Sequence, residues 1–447
     1  MIDNLDSLGY HTMTTIQAES LPGTLEGRDL IAQAKTGSGK TAAFGIGLLE
    51  KLNPRWFAIQ GLVLCPTREL ADQVAKELRR LARHIDNVKI LTLCGGTPMG
   101  PQIGSLEHGA HIIVGTPGRL RDHLGRGSID LTKVETLVLD EADRMIDMGF
   151  QEDIAGIVSA CPKKRQTLLF SATYPDNIRK LSARFLKQPL EVKVESLHST
   201  DRIEQRFYKV EPDTRNATVA RALLAFRPVS ALAFCNTKIH CRELADELKA
   251  QGFSVLALYG ELEQRERDEI LLRFANRSCT VLVATDVAAR GLDIQTLDMV
   301  INVDVARDTE VHIHRVGRTG RGDERGLAVT LAAPGDKRWV DLIENYQGAA
   351  LEWHDVAELK AAPGGKLIPP MVTLCIGAGR KEKIRPADIL GALTGDGGLD
   401  GAQVGKIQIA EFASFVALER KTAERAFERL SRCKIKGKTQ KMRLIGD

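Results

Sequence analysis

Apolar residues recur along roughly the first 355 positions as short continuous runs that alternate with amphipathic stretches. The runs lie at residues 62–65, 112–114, 136–139, 167–170, 231–234 and 281–284. Continuous runs of this kind indicate strands of a parallel sheet that is buried on both faces. From Leu70, the apolar positions Val74, Leu78, Leu81 and Ile85 follow at helical spacing. The alternation of strand, turn and helix predicts an α/β fold with doubly wound sheets.

The pattern also contains an internal repeat. Thr67 and Thr237 each follow an apolar run and lead into a helical stretch, and Thr116 and Thr285 follow them at spacings of 49 and 48 residues. We therefore predict two copies of one fold, residues 1–195 and 205–355, although so short a match can also arise by coincidence. A stretch rich in Pro and Gly predicts a linker at residues 356–370, before a third domain at 371–447.

The charge of the chain is concentrated near its end. Residues 371–447 carry 15 Lys and Arg against 9 Asp and Glu, whereas the remainder carries 47 against 49. Residues 429–443 include seven basic residues and no acid. Such a patch is expected to bind a polyanion, with a solubilising tail as the alternative. Because residues 434–438 alternate apolar and basic side chains, we predict a strand with one charged face there.

Several classes of protein are disfavoured by the composition. No apolar run reaches the roughly 18 residues that a membrane span requires. The first residues include two acids and no long apolar core, which argues against a signal peptide. The eight cysteines form no CxxC pair, so we expect buried, reduced thiols in a cytoplasmic protein.

A glycine-containing loop early in the chain predicts a phosphate-binding site. It consists of Ala34, Lys35, Thr36, Gly37, Ser38, Gly39, Lys40 and Thr41. Glycines let backbone N–H groups converge on phosphate, and the following helix adds its positive end. Lys40 is placed for the β- and γ-phosphates of ATP and Thr41 for Mg²⁺. The alternative is a glycine-rich turn without function, since the general motif has Gly where Ala34 stands.

Two further groups of residues complete a predicted site for ATP hydrolysis. Asp140 and Glu141 end an apolar run, where Asp140 can hold Mg²⁺ through water and Glu141 can orient or deprotonate the attacking water. Arg318 and Arg321, three residues apart, can lie on one helical face and stabilise transition-state charge. In isolation, the acids can be a helix cap and the arginines surface ion pairs. Because the arginines belong to the second copy, we expect hydrolysis to require domain closure.

With residues 171–173, Ser-Ala-Thr, these motifs resemble the DEAD-box RNA helicases over roughly residues 5–350. The resemblance implies two tandem RecA-like domains of the parallel-sheet type. It also implies that Gln17 reads adenine, that Ser171 and Thr173 couple the state of ATP to unwinding, and that Asp293 contacts the nucleotide ribose.

The repeated threonines then acquire an expected role. Strand-end hydroxyls and helix N-termini on the ligand side of the two sheets can hold RNA phosphates, helped by nearby arginines. The predicted RNA contacts of the two copies are Thr67, Arg68, Gly96, Thr116, Arg119, Thr237, Gln264, Arg267, Thr285 and Arg290. A grip on the backbone implies little sequence preference. Closure of the two domains would bend one strand and separate a short duplex, which is the local melting that the resemblance implies.

The third domain is predicted to be a small α+β, RRM-like RNA-binding domain. Strands are predicted at 371–376, 407–409, 415–418 and 441–445, and helices at 386–393 and 422–430. An ordinary RRM stacks bases on strand aromatics. Here Thr373 and Ala413 occupy two such positions and Phe415 alone is aromatic. We therefore predict RNA binding along a basic edge that comprises Lys406, Arg432, Lys434, Lys436, Lys438 and Lys441.

Residues 391–396 and 434–439 resemble the DbpA subfamily of these helicases, as does the rest of the chain. The resemblance implies a hairpin in the peptidyl-transferase region of 23S rRNA as the target, within ribosome precursor particles during large-subunit assembly. We expect a monomer that requires ATP and Mg²⁺ and that does not bind a membrane. Two alternatives remain: an RNA clamp whose ATP cycle controls grip without unwinding, and a DNA helicase.

Overall fold

The computed structural model describes residues 1–34, 37–174, 176–194, 203–289, 297–320, 325–431 and 433–445. The described chain divides into two compact units, one up to residue 194 and one from residue 203 onward. No helix in these ranges is long and apolar enough to cross a membrane.

The first unit is a parallel sheet covered by helices on both faces. Its described strands are β1 (Leu30–Gln33), β2 (Gly61–Leu64), β3 (Ile90–Leu93), β4 (Ile112–Gly115), β5 (Thr136–Asp140), β6 (Gln166–Ser171) and β7 (Leu190–Lys193). Its helices are α1 (Ile2–Ser7), α2 (Thr15–Leu25), α3 (Lys40–Glu50), α4 (Arg68–Leu81), α5 (Met99–Leu106), α6 (Pro117–Gly125), α7 (Ala142–Asp147), α8 (Gln151–Ala160) and α9 (Asp176–Phe185). The strand order is β3-β4-β2-β5-β6-β1-β7, and two apolar cores lie on the two faces.

The second unit begins with a matching α/β domain. Its described strands are β8 (Ile203–Lys209), β9 (Ala231–Cys235), β10 (Val255–Leu258), β11 (Val281–Thr285), β12 (Met299–Asn302), β13 (Gly326–Ala332) and β14 (Trp353–His354). Its helices are α10 (Arg215–Phe226), α11 (Lys238–Ala250), α12 (Gln264–Ala275), α13 (Asp286–Ala289), α14 (Thr309–Val316) and α15 (Lys337–Gln347). The order β10-β11-β9-β12-β13-β8-β14 repeats the first sheet position by position. The predicted repeat of one fold is therefore confirmed.

The strand register shows which residues of the two copies correspond. Leu64 pairs with Leu139 in the first sheet, and the equivalent Phe234 pairs with Asn302 in the second. Counting onward from these partners, Asp140 corresponds to Val303 and Glu141 corresponds to Asp304. In the same way, Lys40 begins α3 and Arg215 begins α10, each being the first helix after the equivalent strands β1 and β8.

The C-terminal domain is a small antiparallel sheet with helices on one face. Its described elements are β15 (Met371–Ile376), α16 (Pro386–Thr394), β16 (Val404–Ile409), β17 (Ser414–Glu419), α17 (Arg420–Leu430) and β18 (Met442–Ile445), with strand order β16-β17-β15-β18. These elements confirm the predicted α+β fold. The predicted strand at 434–438 is wrong, because Lys436 and Gly437 have φ angles of +52° and +79° and form a tight turn. Alternation arose there because Ile435 alone points into the core.

The segment between these two domains packs against the second α/β domain. The Arg227 guanidinium donates to the carbonyl oxygens of Gly364 at 3.0 Å and Gly365 at 2.9 Å. Leu359 and Leu367 are buried in the core of that domain. The stretch predicted as a linker therefore runs along the domain surface as an anchored connection.

Candidate nucleotide and RNA sites

The phosphate loop lies between β1 and α3 and is shaped by two glycines. Gly37 and Gly39 have φ angles of +83° and +92°, which residues with a Cβ atom rarely adopt. A Cβ at position 39 would lie 2.5 Å from Gln17 Nε2. Lys40 is buried, and its Nζ donates to the Ala34 carbonyl at 2.9 Å. The loop residues Lys35 and Thr36 lie outside the described residues.

Gln17 connects the start of α2 to this loop. Its Oε1 accepts from the Thr14 N–H at 2.9 Å, and its Nε2 donates to the Gly39 carbonyl at 3.1 Å. The Thr14 hydroxyl also donates to the Ser38 carbonyl at 2.8 Å. Gln17 therefore positions the phosphate loop, while its role in reading adenine stays a prediction.

Asp140 is a buried carboxylate at the end of β5. Its Oδ1 has no hydrogen-bond partner among the described residues. Burial raises the pKa of Asp140 to about 7, against the opposing positive charge of Lys40. Mg²⁺ prefers oxygen ligands of this kind and keeps several waters. The orphaned carboxylate oxygen, beside a helix whose first turn carries Thr41, fits such a cation.

Glu141 adopts an unusual backbone conformation directly before α7. Its φ is +53°, in the left-handed region that is uncommon for residues other than glycine. Its Oε2 accepts from Arg144 Nη1 at 2.7 Å, and both side chains are buried. Strained backbone conformations persist only where the surrounding structure holds them, and they cluster at functional sites. The carboxylate is thus fixed in direction by Arg144.

Asp143 joins this acidic segment to residues 171–173. Its Oδ2 accepts from the Ala172 N–H at 3.1 Å, from the Thr173 N–H at 3.0 Å and from the Thr173 hydroxyl at 3.1 Å. The Asp143 N–H donates to Ser171 Oγ at 3.3 Å. We did not predict a role for Asp143, although it stands in the same acidic run as Asp140 and Glu141.

The predicted RNA threonines lie at strand ends as expected. Thr67 caps α4 through a bond from the Leu70 N–H at 3.3 Å, and Thr237 caps α11 through a bond from the His240 N–H at 3.2 Å. Thr116 precedes α6. All three follow the carboxyl ends of parallel strands. Thr285, the fourth predicted threonine, is the last residue of β11.

Arg119 belongs to a hydrogen-bonded network beside Gly96 that sequence reasoning missed. Arg119 Nη1 donates to the Thr97 carbonyl at 2.9 Å, next to Gly96 with a φ of +74°. Gln102 Nε2 donates to the Thr97 hydroxyl at 2.6 Å, and its Oε1 faces His123 Nε2 at 2.9 Å. Burial, with the charge of Arg119, lowers the pKa of His123. A neutral, buried histidine therefore supports the turn that carries Gly96.

The remaining predicted α/β contacts are placed as follows. Arg68 lies 3.7 Å from Asp72 on α4. Gln264 Nε2 donates to Asp268 at 2.8 Å, and Arg267 Nη2 donates to the Ala288 carbonyl at 3.3 Å. Residues beyond the described ranges are Arg290, Asp293, Arg321 and Arg432.

Arg318 is buried in the second unit, with 5% of its surface exposed. Its neighbour Arg315, which we did not single out, is more deeply buried and connects three strand ends. It bonds to Asp286 at 2.6 Å, to Asn236 Oδ1 at 2.8 Å and to the Asp304 carbonyl at 2.7 Å. Arg315 therefore has a structural role at the carboxyl edge of the second sheet.

Asp304 forms an ion-paired cluster at the same edge. It pairs with Arg215 and accepts from His240 Nδ1 at 2.9 Å. Burial alone would raise its pKa, but His240, the Asn236 N–H and Arg215 lower the pKa of Asp304 to about 2. Cys235 lies close enough to complete a metal-ligand set, yet burial raises the pKa of its thiol well above the usual range. With Arg215 already neutralising the carboxylate, this cluster does not fit a cation.

The predicted basic edge of the C-terminal domain divides into two places. Lys434 and Lys438 are exposed at the turn before β18, and Lys436 Nζ donates to the Lys383 carbonyl. Lys441 directly precedes β18, whereas Lys406 lies on β16 at the opposite edge of the sheet. A single edge holding Lys406 with the other lysines is therefore wrong, since β17 and β15 separate the two edge strands.

The outer face of this small sheet contacts the second α/β domain. Thr373 is fully buried, and its hydroxyl lies 2.6 Å from Ser278 Oγ and 3.2 Å from Asn276 Nδ2. The Met371 N–H donates to the Arg277 carbonyl at 3.3 Å. The face on which an ordinary RRM stacks bases is thus occupied by protein at Thr373.

Comparison with known families accounts for this arrangement. Residues 14–181 match the DEAD/DEAH box helicase family, residues 215–323 match the helicase conserved C-terminal domain, and residues 373–444 match the DbpA RNA binding domain. The chain belongs to the DEAD-box family of ATP-dependent RNA helicases. It is 50% identical to the Escherichia coli (strain K12) ATP-dependent RNA helicase DbpA, over 99% of this chain and 97% of that protein, which assigns it to the DbpA subfamily.

Other relatives match the two α/β domains but a smaller share of the chain. The DEAD-box ATP-dependent RNA helicase CshA of Bacillus subtilis (strain 168) is 44% identical over 76% of this chain and 69% of its own length. Among solved structures, S. cerevisiae Dbp5 bound to RNA and ADP BeF3 is similar with a TM-score of 0.73, at 29% identity over 80% of this chain and 93% of that one. The predicted RecA-like architecture and ATP-hydrolysing RNA helicase activity are confirmed.

Proposed function

We propose that this helicase locally unwinds short duplexes in 23S rRNA during assembly of the large ribosomal subunit. Its C-terminal domain would direct it to a 23S rRNA hairpin in precursor particles. The observation that carries the proposal is the DbpA RNA binding domain at residues 373–444, which presents the exposed lysines of the 434–438 turn. A cytoplasmic monomer is part of the same proposal.

For hydrolysis, we assign roles to the residues around the phosphate loop. Mg²⁺, held with Asp140 and Thr41, would neutralise charge on the phosphates. Lys40 would bind the β- and γ-phosphates, and Glu141 would orient the attacking water or accept its proton. The fixed direction of the Glu141 carboxylate, held by Arg144 at 2.7 Å, supports that role. Adenine reading by Gln17 and a ribose contact by Asp293 complete the nucleotide site.

The second α/β domain is proposed to supply Arg318 and Arg321 to the terminal phosphate. Guanidinium groups stabilise the charge of a phosphoryl-transfer transition state, typically by about 10³–10⁵-fold in rate. Arg318→Ala and Arg321→Ala are therefore expected to abolish most RNA-stimulated hydrolysis while RNA still binds. Hydrolysis at the normal rate in either variant would contradict this assignment.

Coupling of hydrolysis to unwinding is proposed to run through Asp143. Its carboxylate binds both the backbone and the hydroxyl of Thr173, and its N–H meets the Ser171 hydroxyl, so the acidic segment and residues 171–173 form one bonded unit. Ser171→Ala and Thr173→Ala should keep hydrolysis and lose strand separation. The exposed Ser159→Ala on α8 is a matched control.

An RNA clamp without unwinding is the competing function at this site. A clamp predicts that the wild-type chain hydrolyses ATP and retains RNA but separates no short duplex. Measuring unwinding and hydrolysis in parallel on one duplex decides between these functions. The same assay with DNA of equal length tests the DNA-helicase alternative through the stimulation of hydrolysis.

Targeting is tested in the full-length protein by removing charge from the basic turn. Lys434→Ala with Lys438→Ala should weaken stimulation by a 23S rRNA fragment and reduce the salt dependence of binding by about one unit of slope for each phosphate that is no longer neutralised. Lys436 is left intact because its Nζ contacts the Lys383 carbonyl and lies 3.6 Å from Asp388. The control is Lys337→Ala, an exposed lysine on α15. Equal stimulation of the wild-type chain by unrelated RNA would contradict targeting.

A further inference from the structure

Phe412 is exposed to solvent in the turn between β16 and β17. It is 66% exposed, more than any other aromatic side chain in the described ranges. An aromatic ring in water contributes little to the stability of the fold that carries it. Aromatic residues are enriched at binding interfaces relative to the rest of the protein surface.

The backbone that carries Phe412 is held in place by a neighbouring loop. In the β15–α16 loop, the Arg380 N–H donates to the Ala410 carbonyl at 2.9 Å, and the Lys381 N–H donates to the Glu411 carbonyl at 3.0 Å. Gly379 permits this approach, because a Cβ there would lie 2.5 Å from the Ala410 carbonyl oxygen. The ring therefore stands on a fixed turn, and little backbone entropy is lost when a ligand contacts it.

One basic side chain lies beside the ring, and others belong to the same loop. Lys381 Nζ lies 5.9 Å from the centre of the Phe412 ring and 3.5 Å from a Glu411 carboxylate oxygen. An exposed ion pair of this kind contributes little to the stability of the fold. Arg380 and Lys383 are exposed on the same loop. Because Lys436 Nζ contacts the Lys383 carbonyl, the 434–438 turn lies against the loop that carries these basic residues.

We propose that Phe412 stacks on an unpaired RNA base while Lys381 and Arg380 hold the adjoining phosphates. Single-stranded RNA is bound by this combination, in which aromatic faces take bases and basic side chains follow the backbone. The site lies away from the outer sheet face, where Thr373 is buried against Ser278. It explains how a domain with Ala413 at an aromatic position still offers a stacking surface. The inference rests on the proposed RNA binding of this domain and adds to it a base-contacting residue.

The test measures RNA binding by the full-length protein at fixed salt. Two RNAs are used: a 23S rRNA fragment from the peptidyl-transferase region and a short single-stranded oligouridine. Phe412→Ala should weaken binding of both by about 10-fold, and Phe412→Trp should restore it, because stacking depends on a ring face and not on base identity. Tyr346→Ala, which removes a ring 53% exposed on α15, is the matched control and should change neither affinity.

Lys381→Ala gives an independent readout, since removing the cation at one phosphate lowers the salt slope of binding by about one unit. Affinities of Phe412→Ala within about twofold of wild type on both RNAs would overturn the inference. Should the wild-type chain bind the 23S fragment no better than an unrelated hairpin, the proposed target fails. The oligouridine measurement then still decides whether Phe412 contacts a base.

Discussion

The two α/β domains have the same strand order but treat the carboxyl end of one equivalent strand in opposite ways. In the first domain β5 ends at Asp140, a buried carboxylate whose pKa is raised to about 7 and whose Oδ1 has no hydrogen-bond partner in the described part of the chain. The second domain has the buried Val303 at that position. One residue later, Asp304 pairs with Arg215 and accepts a hydrogen bond from His240, and its pKa falls to about 2. A repeated scaffold thus holds a buried carboxylate with a raised pKa in one copy and an ion pair in the other.

The residues that begin the equivalent helices show the same contrast. Lys40 begins α3, and its Nζ donates to the backbone carbonyl of Ala34. Arg215 begins α10 and pairs with both Asp304 and Asp336. Removing one partner of a buried ion pair leaves an uncompensated charge, whereas a cation that is to bind phosphate must keep N–H donors for its ligand. The first domain therefore suits nucleotide chemistry, and the second is built for structural integrity at this edge.

The largest expected effect comes from Asp140. Asp140→Asn should lower RNA-stimulated ATP hydrolysis by about 10³-fold or more, because the variant loses the anionic group that is proposed to hold Mg²⁺. The free energy of unfolding should not fall, since burial of this carboxylate is costly: its pKa is raised, and its Oδ1 has no hydrogen-bond partner among the described residues. Steady-state hydrolysis and urea unfolding measure the two. Hydrolysis within tenfold of the wild-type rate would remove the contrast between the copies.

Asp304 should show the reverse behaviour. Asp304→Asn leaves Arg215 without one of its partners in a partly buried cluster, and the free energy of unfolding should fall by about 3 kcal/mol. Urea unfolding followed by tryptophan fluorescence in a Trp56→Phe background reports the second unit through Trp339 and Trp353. A loss below about 1 kcal/mol would show that the cluster is not a structural ion pair.

A pH dependence of stability is expected from His312 in the second domain. Burial lowers the pKa of His312 to about 3, so the folded state holds the ring neutral while the unfolded chain binds a proton near pH 6.5. The contribution of His312 to the free energy of unfolding is fully present above about pH 6.5. It falls by about 1.4 kcal/mol per pH unit as the pH decreases toward 3. Asp304 adds a further loss between about pH 3.9 and 2.

The same tryptophan signal, recorded in urea at several pH values, measures this slope. His312→Leu removes the titrating ring and should flatten the dependence between about pH 6 and 4. A slope unchanged by the substitution would assign the acid sensitivity to other groups, of which His123 and His111 in the first domain also have lowered pKa values.

The smallest effect should be equal in the two copies. Thr67→Ala and Thr237→Ala each remove a helix cap, at a cost of about 1 kcal/mol. Thr→Ser at either position keeps the hydroxyl and should recover most of the loss. If only one of the two alanine variants loses stability, the two strand ends are not equivalent in the way their sequences indicate.

Sequence reasoning succeeded where one physical cause dominates. Continuous apolar runs predicted the buried parallel strands, because burial on both faces leaves no alternation, and run 231–234 is an example within β9. The prediction of a strand failed at 434–438. Alternating apolar and basic residues are compatible with a strand and also with a turn, and only the positive φ angles of Lys436 and Gly437 show that this segment is a turn. Local patterns do not carry backbone handedness of that kind.

Roles that depend on distant partners were also missed. Asp143 matters because residues 171–173 return beside it, and Arg315 matters because β9, β11 and β12 end together. The burial of Thr373 arises from a contact with a residue 97 positions away. In each case the residue type is ordinary, and its importance comes from tertiary neighbours that no periodicity encodes.

The contact at Thr373 limits how this protein can be re-engineered. Exchanging the C-terminal domain for another RRM, to send the motor to a different RNA, would bring an aromatic ring to a position that has no exposed surface. Such a graft would also leave Asn276 Nδ2 and Ser278 Oγ without the hydroxyl they meet, at about 1–3 kcal/mol for each polar group that stays buried. A working chimera would have to carry the matching 276–278 turn with it, so the unit of exchange is the joined surface and not the domain alone.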